Sequence, residues 1–184
     1  KLTGHTVNVP YDTPEAALTG KFTESSYYQS LNGTWQFAYG EDADKMVAKA
    51  EDCAINDWSE ITVPGTWMTQ GWDYPHYVNV QMPFYEQPPN VPEKNPTGVY
   101  QRTFTIDESW DDHVIRICFE GVESAFYLWI NGVSVGYSQD SRTIAEFDIT
   151  EHVKEGENAL TAAVIRWSDG SFLEDQDHWR MAGI

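Results

Sequence analysis

The sequence predicts an all-β protein built as an antiparallel β-sandwich, and three observations carry that prediction. From residue 98 onward, β-rich runs recur about every ten to fifteen residues with almost no helical pattern between them. One pair of runs flanks Asn131-Gly132, the dipeptide that type I′ hairpin turns favour because both central positions need positive φ. Aromatic residues make up 14% of the 184-residue chain, which also holds 13 glycines and 9 prolines, a mix suited to short strands joined by tight turns.

Taken in order, residues 1–30 show no sustained periodicity and read as an extended arm. "LNGTWQFAY" (31–39) reads as a turn at Asn32-Gly33 and then a strand with Trp35 and Phe37 on one face. "EDADKMVAKAED" (41–52) is the helix candidate: Asp42 or Asp44 can cap it, and Met46, Val47 and Ala50 share a face. Residues 64–97 carry prolines at 64, 75, 83, 88, 89, 92 and 96, which exclude long regular elements. This long loop is rich in tyrosine and tryptophan, so it is expected to be packed and functional rather than disordered.

The β-rich half follows. "GVYQRTFTI" alternates Val99, Gln101, Thr103 and Thr105 against Tyr100, Arg102, Phe104 and Ile106. "HVIRICFEG" places Ile115, Ile117 and Phe119 on one face, "SAFYLWINGVSVGYS" is the hairpin, and "TIAEFDIT" is a further short strand. "KEGENALTAAVIRW" turns into a strand with Leu160, Ala162 and Val164 on one side. No internal repeat or low-complexity tract interrupts this pattern.

Charge and cysteine usage narrow the partners. The formal net charge is −18, from 11 basic and 29 acidic residues, so a polyanion such as DNA and an anionic membrane surface are both disfavoured. The apolar runs are far too short to cross a bilayer. The two cysteines, Cys53 and Cys118, are too few for a disulfide framework. Cys118, inside the apolar run "VIRICF", is expected to be a buried free thiol. No clustered His/Cys spacing suggests zinc, and the five histidines are dispersed. No nucleotide-binding or nucleophile-elbow motif is present.

The chemistry-bearing candidate is "RWSDGSFLEDQDHWR" (166–180). Asp169-Gly170 follows a strand and reads on its own as an ordinary turn. Yet Trp167, Phe172 and Trp179 interleave with the acids. Carboxylates beside aromatic rings suit sugar recognition, the acid accepting from hydroxyls and a ring packing on the C–H face of a pyranose. Asn95, held extended by Pro96, offers both donor and acceptor for the same purpose, or serves as a turn residue satisfying its own backbone. These residues by themselves leave the solvated loop and the binding site both open.

The motifs "SLNGTWQF", "VPGTW", "NPTGVYQRTFTIDESW", "FEGVESAFYLWINGVSVGYSQDSR", "EFDIT", "GENAL" and "RWSDGSFLEDQDHWRMAGI" together resemble the N-terminal part of β-galactosidases of glycoside hydrolase family 2. The likeness runs from about residue 30 to residue 184 and is most specific in the last motif. "YPHYVNVQMPF" also looks like that branch, departing from its commoner pattern at Val78.

The resemblance implies a jelly-roll β-sandwich of the galactose-binding-domain type over residues 31–184, preceded by the irregular N-terminal arm. An immunoglobulin-like domain and a TIM barrel would follow in a longer polypeptide. It implies a retaining β-galactosidase as the parent enzyme, with both catalytic glutamates and the magnesium site on the barrel, so that no catalytic residue is expected in this chain. It assigns Asp169 to the galactosyl group and to a sodium ion shared with barrel residues, and Asn95 to a contact with the sugar. Glu174, Asp175 and Asp177 are expected to fix the loop against neighbouring domains. The implied partners are the galactoside, the later domains and, in the parent, further copies of the polypeptide, the arm of residues 1–30 being one candidate for subunit contacts. Compartment is left unknown, the cytoplasm being favoured and the periplasm possible. The competing expectation is a free-standing carbohydrate-binding module without catalysis.

Overall fold

The computed structural model describes residues 1–79, 81–174 and 177–184. Its frame is an antiparallel six-stranded sheet in the order β2-β1-β4-β9-β6-β7. These strands are β1 (Gly33–Gly40), β2 (Ser59–Val63), β4 (Thr97–Ile106), β6 (Ala125–Ile130), β7 (Val133–Gln139) and β9 (Gly156–Ile165). Two short antiparallel pairs complete the fold: β5 (Arg116–Phe119) with β8 (Ala145–Asp148), and β3 (His76–Val78) with β10 (His178–Arg180).

The expected alternation builds the core. Trp35 and Phe37 of β1, Tyr100, Phe104 and Ile106 of β4, Phe126 and Leu128 of β6, and Leu160 and Val164 of β9 bury one face of the large sheet. Ile117 and Phe119 of β5, with Ala145 and Phe147 of β8, close the other side of that core, which makes the two-layer sandwich. Asn131 and Gly132 adopt φ of 52° and 78°, the left-handed conformation the hairpin turn requires.

The second face of the large sheet is also partly covered, which simple alternation does not anticipate. Helix α2 (Ala43–Glu51) is capped by the Asp42 carboxylate, which accepts from the Lys45 amide at 3.1 Å. It lays Met46 and Ala50 on Ala38, Val99, Trp129 and Ala163. Val99 and Tyr100 are therefore both buried although they point to opposite faces.

Two expectations are corrected. Residues 14–19 of the arm form a short helix, α1 (Pro14–Thr19), with Thr13 as N-cap, proline in the first turn and Gly20 in left-handed conformation behind it. Local capping makes this turn where no apolar periodicity exists. Cys118 is free, as expected, but exposed. On β5 the core takes Ile117 and Phe119, so the alternation turns Cys118 and Arg116 outward.

Motifs far apart in the chain meet at one end of the sandwich. The Gly65 and Trp67 amides donate to Ile184 O (2.8 Å) and Ala182 O (3.1 Å), so "VPGTW" and "RMAGI" lie side by side. Gly183 takes φ of 154° there, and a Cβ on it would come within 2.5 Å of Gly65 O, which only glycine avoids. The loop that follows β9 lies at the same end.

Candidate functional site

Strand β9 delivers the candidate loop directly: Ile165 is its last residue, and Arg166, Trp167, Ser168 and Asp169 follow. The main chain at Arg166 and Trp167 is held at four points. The Arg166 amide donates to Pro96 O at 2.9 Å, and Arg166 O accepts from Arg180 Nη2 at 3.2 Å. The Trp167 amide donates to Asn95 Oδ1 at 3.0 Å, and Trp167 O accepts from Asn95 Nδ2 at 2.8 Å.

The side chains at this point form a buried stack. Two guanidinium groups lie over the Trp167 ring, with Arg166 Cζ 5.0 Å and Arg180 Cζ 5.8 Å from its centre. Phe84 meets the same ring edge-on at 5.2 Å and also touches Phe172, which ties the proline-rich loop to this one. Arg166 pairs with Asp73, both side chains being buried, and donates from Nη2 to Tyr74 O at 3.0 Å and to His76 Nδ1 at 3.1 Å. Burial, and then the Arg166 charge, hold His76 below the ordinary imidazole value, which keeps a lone pair on Nδ1 for that bond.

Beyond Trp167 the chain makes a compact turn. Ser168 N donates to Ser171 Oγ at 3.1 Å and Ser171 N donates to Ser168 O at 3.0 Å. Ser171 is fully buried and its Oγ accepts from Arg180 Nη2 at 3.2 Å. The short helix α3 (Ser171–Glu174) follows, and Glu174 Oε2 accepts from the hydroxyl and amide of Ser141 at 2.6 and 3.3 Å.

Asp169 is the outward-facing residue of this construction. It is exposed, whereas Arg166, Trp167, Ser168 and Ser171 are all buried. Its Oδ1 accepts from the next amide, Gly170 N, at 2.9 Å, which aims the carboxylate and leaves acceptor positions facing solvent. Asn95 is brought to the same loop but is 3% exposed, with both ends of its carboxamide on the Trp167 backbone. The structure therefore joins Asn95 and Asp169 through Trp167.

The remaining acids part ways. Glu174 fixes the loop to Ser141 within this domain. Asp177 is exposed and accepts from the Tyr77 hydroxyl. Asp175 lies outside the described residues. Among the described residues no three of histidine, cysteine, aspartate and glutamate gather as a metal-binding group. A cleft between α2 and the sheet is lined by Lys49, Cys53, Trp58 and Gln101, and another lies beside Leu2, His5, Asp140 and Glu146; Asp169 lines neither.

The sequence reading gave no role to Arg166, Arg180, Asp73 or His76. One signal was present. An arginine directly after the apolar strand run "LTAAVI" enters the interior and needs a buried acceptor. Its partner, however, is 93 residues away and no spacing marks it.

The sandwich is a fold found in solved β-glucuronidases. The β-glucuronidase of Bifidobacterium dentium, complexed with coumarin-3-O-glucuronide, matches 75% of this chain with 21% of its own at a TM-score of 0.56 and 25% identity. A β-glucuronidase from an uncultured Clostridium matches 74% with 21% of its own, at 0.55 and 24%. The chain belongs to glycosyl hydrolases family 2: the model of that family's sugar binding domain matches residues 28–184. The β-galactosidase of Priestia megaterium is 52% identical over 98% of this chain, and that of Vibrio cholerae 47% identical over 97%. The chain spans only 18% of either relative's length.

Proposed function

We propose that this chain is the N-terminal domain of a retaining β-galactosidase and that it lends Asp169, presented by the Asn95–Trp167 clamp, to an active site built mainly by the rest of the polypeptide. Identity of 47–52% to β-galactosidases across nearly the whole chain supports the activity. The observation that carries the role of Asp169 is its geometry: one exposed carboxylate on a turn whose neighbours are buried and multiply bonded. A group held this way is pre-positioned for a ligand.

In this reading the two catalytic carboxyl groups belong to another part of the polypeptide, about 5–5.5 Å apart as retention requires. One forms the glycosyl intermediate, and the other protonates the leaving oxygen and then activates water. Asp169 accepts hydrogen bonds from galactosyl hydroxyls. Asn95 fixes the backbone that carries Asp169, with one amide hydrogen and one lone pair still unassigned for a sugar contact.

Asp169 also fits a hard cation such as sodium, for which carboxylate oxygens are suitable ligands. This chain would supply that one group, and the other ligands, like those for magnesium, would come from elsewhere in the polypeptide. Because Asp169 is exposed on a surface turn, a second wall is needed to enclose a sugar. This favours the enzyme over a free-standing binding module.

The test is Asp169→Ala in the full polypeptide. A fall in kcat/KM of about 100-fold is expected, since misplacement of about 1 Å alone costs that much, together with a weakened response to sodium. Unchanged kinetics and sodium response would refute the assignment. Galactose binding by the 184-residue chain alone would instead support the free-standing module.

A further inference from the structure

Asp73 stands in the proline- and aromatic-rich loop, far in sequence from Asp169 and without contact to it. Its side chain is buried against Arg166, in a residue held at φ of 58°, a left-handed conformation uncommon outside glycine. Among the described residues the Arg166 guanidinium has three acceptors, the Asp73 carboxylate, Tyr74 O and His76 Nδ1, and all three come from residues 73–76. Of these acceptors, the Asp73 carboxylate has the opposite charge.

We infer that Asp73, through its buried pair with Arg166, is a positioning residue for the turn that carries Asp169, an inference that rests on the functional reading above. The coupling path is short. Arg166 lies against the Trp167 ring, its carbonyl accepts from Arg180, and Arg180 in turn donates to Ser171 on the far side of Asp169. Leaving a guanidinium that is 2% exposed without its counter-charge is strongly destabilising, which drives it to shift toward solvent. If it shifts, the Trp167 ring loses its nearer guanidinium contact, and the Asp169 turn loses part of the surface it is built on. Removing Asp73 should therefore loosen substrate binding while the bond-making groups stay intact.

The experiment uses the full polypeptide with Asp73→Asn, Asp73→Glu and Asp169→Ala. It reads kcat and KM for o-nitrophenyl β-galactoside, and hydrogen–deuterium exchange of the amides at residues 167–174. Asp73→Asn is expected to raise KM at least about tenfold, as loss of supporting shells commonly does, with a smaller change in kcat and faster exchange. Asp73→Glu, which restores the charge, should recover part of both. Unchanged KM and exchange in folded Asp73→Asn would overturn the inference. If that variant does not fold, Asp73→Asn combined with Arg166→Met removes the pair and leaves no unpaired buried charge. It should shift both readouts the same way, and no shift there would equally overturn the idea. An effect of Asp169→Ala with none of Asp73→Asn refutes the role of Asp73 alone. A silent Asp169→Ala refutes the functional reading, and exchange then still decides whether Asp73 holds the turn.

Discussion

The carboxamide of Asn95 bridges both backbone polar groups of Trp167, accepting from its N–H at 3.0 Å and donating to its C=O at 2.8 Å across 72 residues of sequence. A side-chain amide is the smallest uncharged group that offers one donor and one acceptor side by side, so it copies the pairing a neighbouring strand would have supplied. This fixes the main chain on which Asp169 is carried.

Replacing Asn95 by alanine leaves both groups of a buried residue unpaired. Each costs roughly 1–3 kcal/mol, and the expected loss is about 3 kcal/mol in urea unfolding. Asn95→Asp, which keeps the acceptor and loses the donor, should cost less at acid pH, where the carboxyl is protonated, than at neutral pH. Equal stability of Asn95→Ala and the parent would show that water replaces the amide.

Asp169→Ala should separate stability from activity. The residue is exposed and bonds only to its neighbour's amide among the described contacts, so unfolding should shift by less than about 0.5 kcal/mol, as for ordinary surface changes. Activity in the full polypeptide should fall sharply. A comparable loss of stability would mean that the carboxylate is a structural part of the turn.

Gly98 explains the fourth position of "NPTG". A Cβ there would meet the Phe37 ring at 2.5 Å and the Trp67 ring at 2.9 Å. Both rings are fully packed, so Gly98→Ala should destabilise by about 1–3 kcal/mol through overpacking. Combining it with Phe37→Leu should recover part of the loss. Thermal unfolding of the single and double variants checks this, and simple additivity would exclude the proposed clash.

The depressed His76 imidazole gives a pH dependence of defined sign. Burial and Arg166 oppose its protonation in the folded state, whereas the unfolded chain takes up a proton near the ordinary imidazole value of 6.5. Stability from this group is thus fully present above about pH 6.5 and is lost as pH falls through the lower native value. Between pH 7 and 5 the protein should weaken, and His76→Phe should flatten that slope. An unaltered slope would place the dependence on other groups.

What the sequence by itself determined is local or periodic. Alternation marked β1, β4, β5 and β9 and their buried faces, Asn131-Gly132 marked the hairpin of β6 and β7, and Asp42 or Asp44 marked the helix start, because each depends on residues within one turn or one pleat of each other. The motif around Asp169 was legible as a candidate for the same reason. Tertiary structure alone decided which polar residues near it are buried. Alternation could not tell that α2 would cover Val99 from the second side or that Arg166 would find Asp73, whereas the outward face of Cys118 follows from the alternation of β5 itself. A buried charge requires a partner, but the Coulomb attraction that satisfies it depends on distance in space and is blind to separation along the chain. Only the folded path of the proline-rich loop brings the carboxylate to the guanidinium.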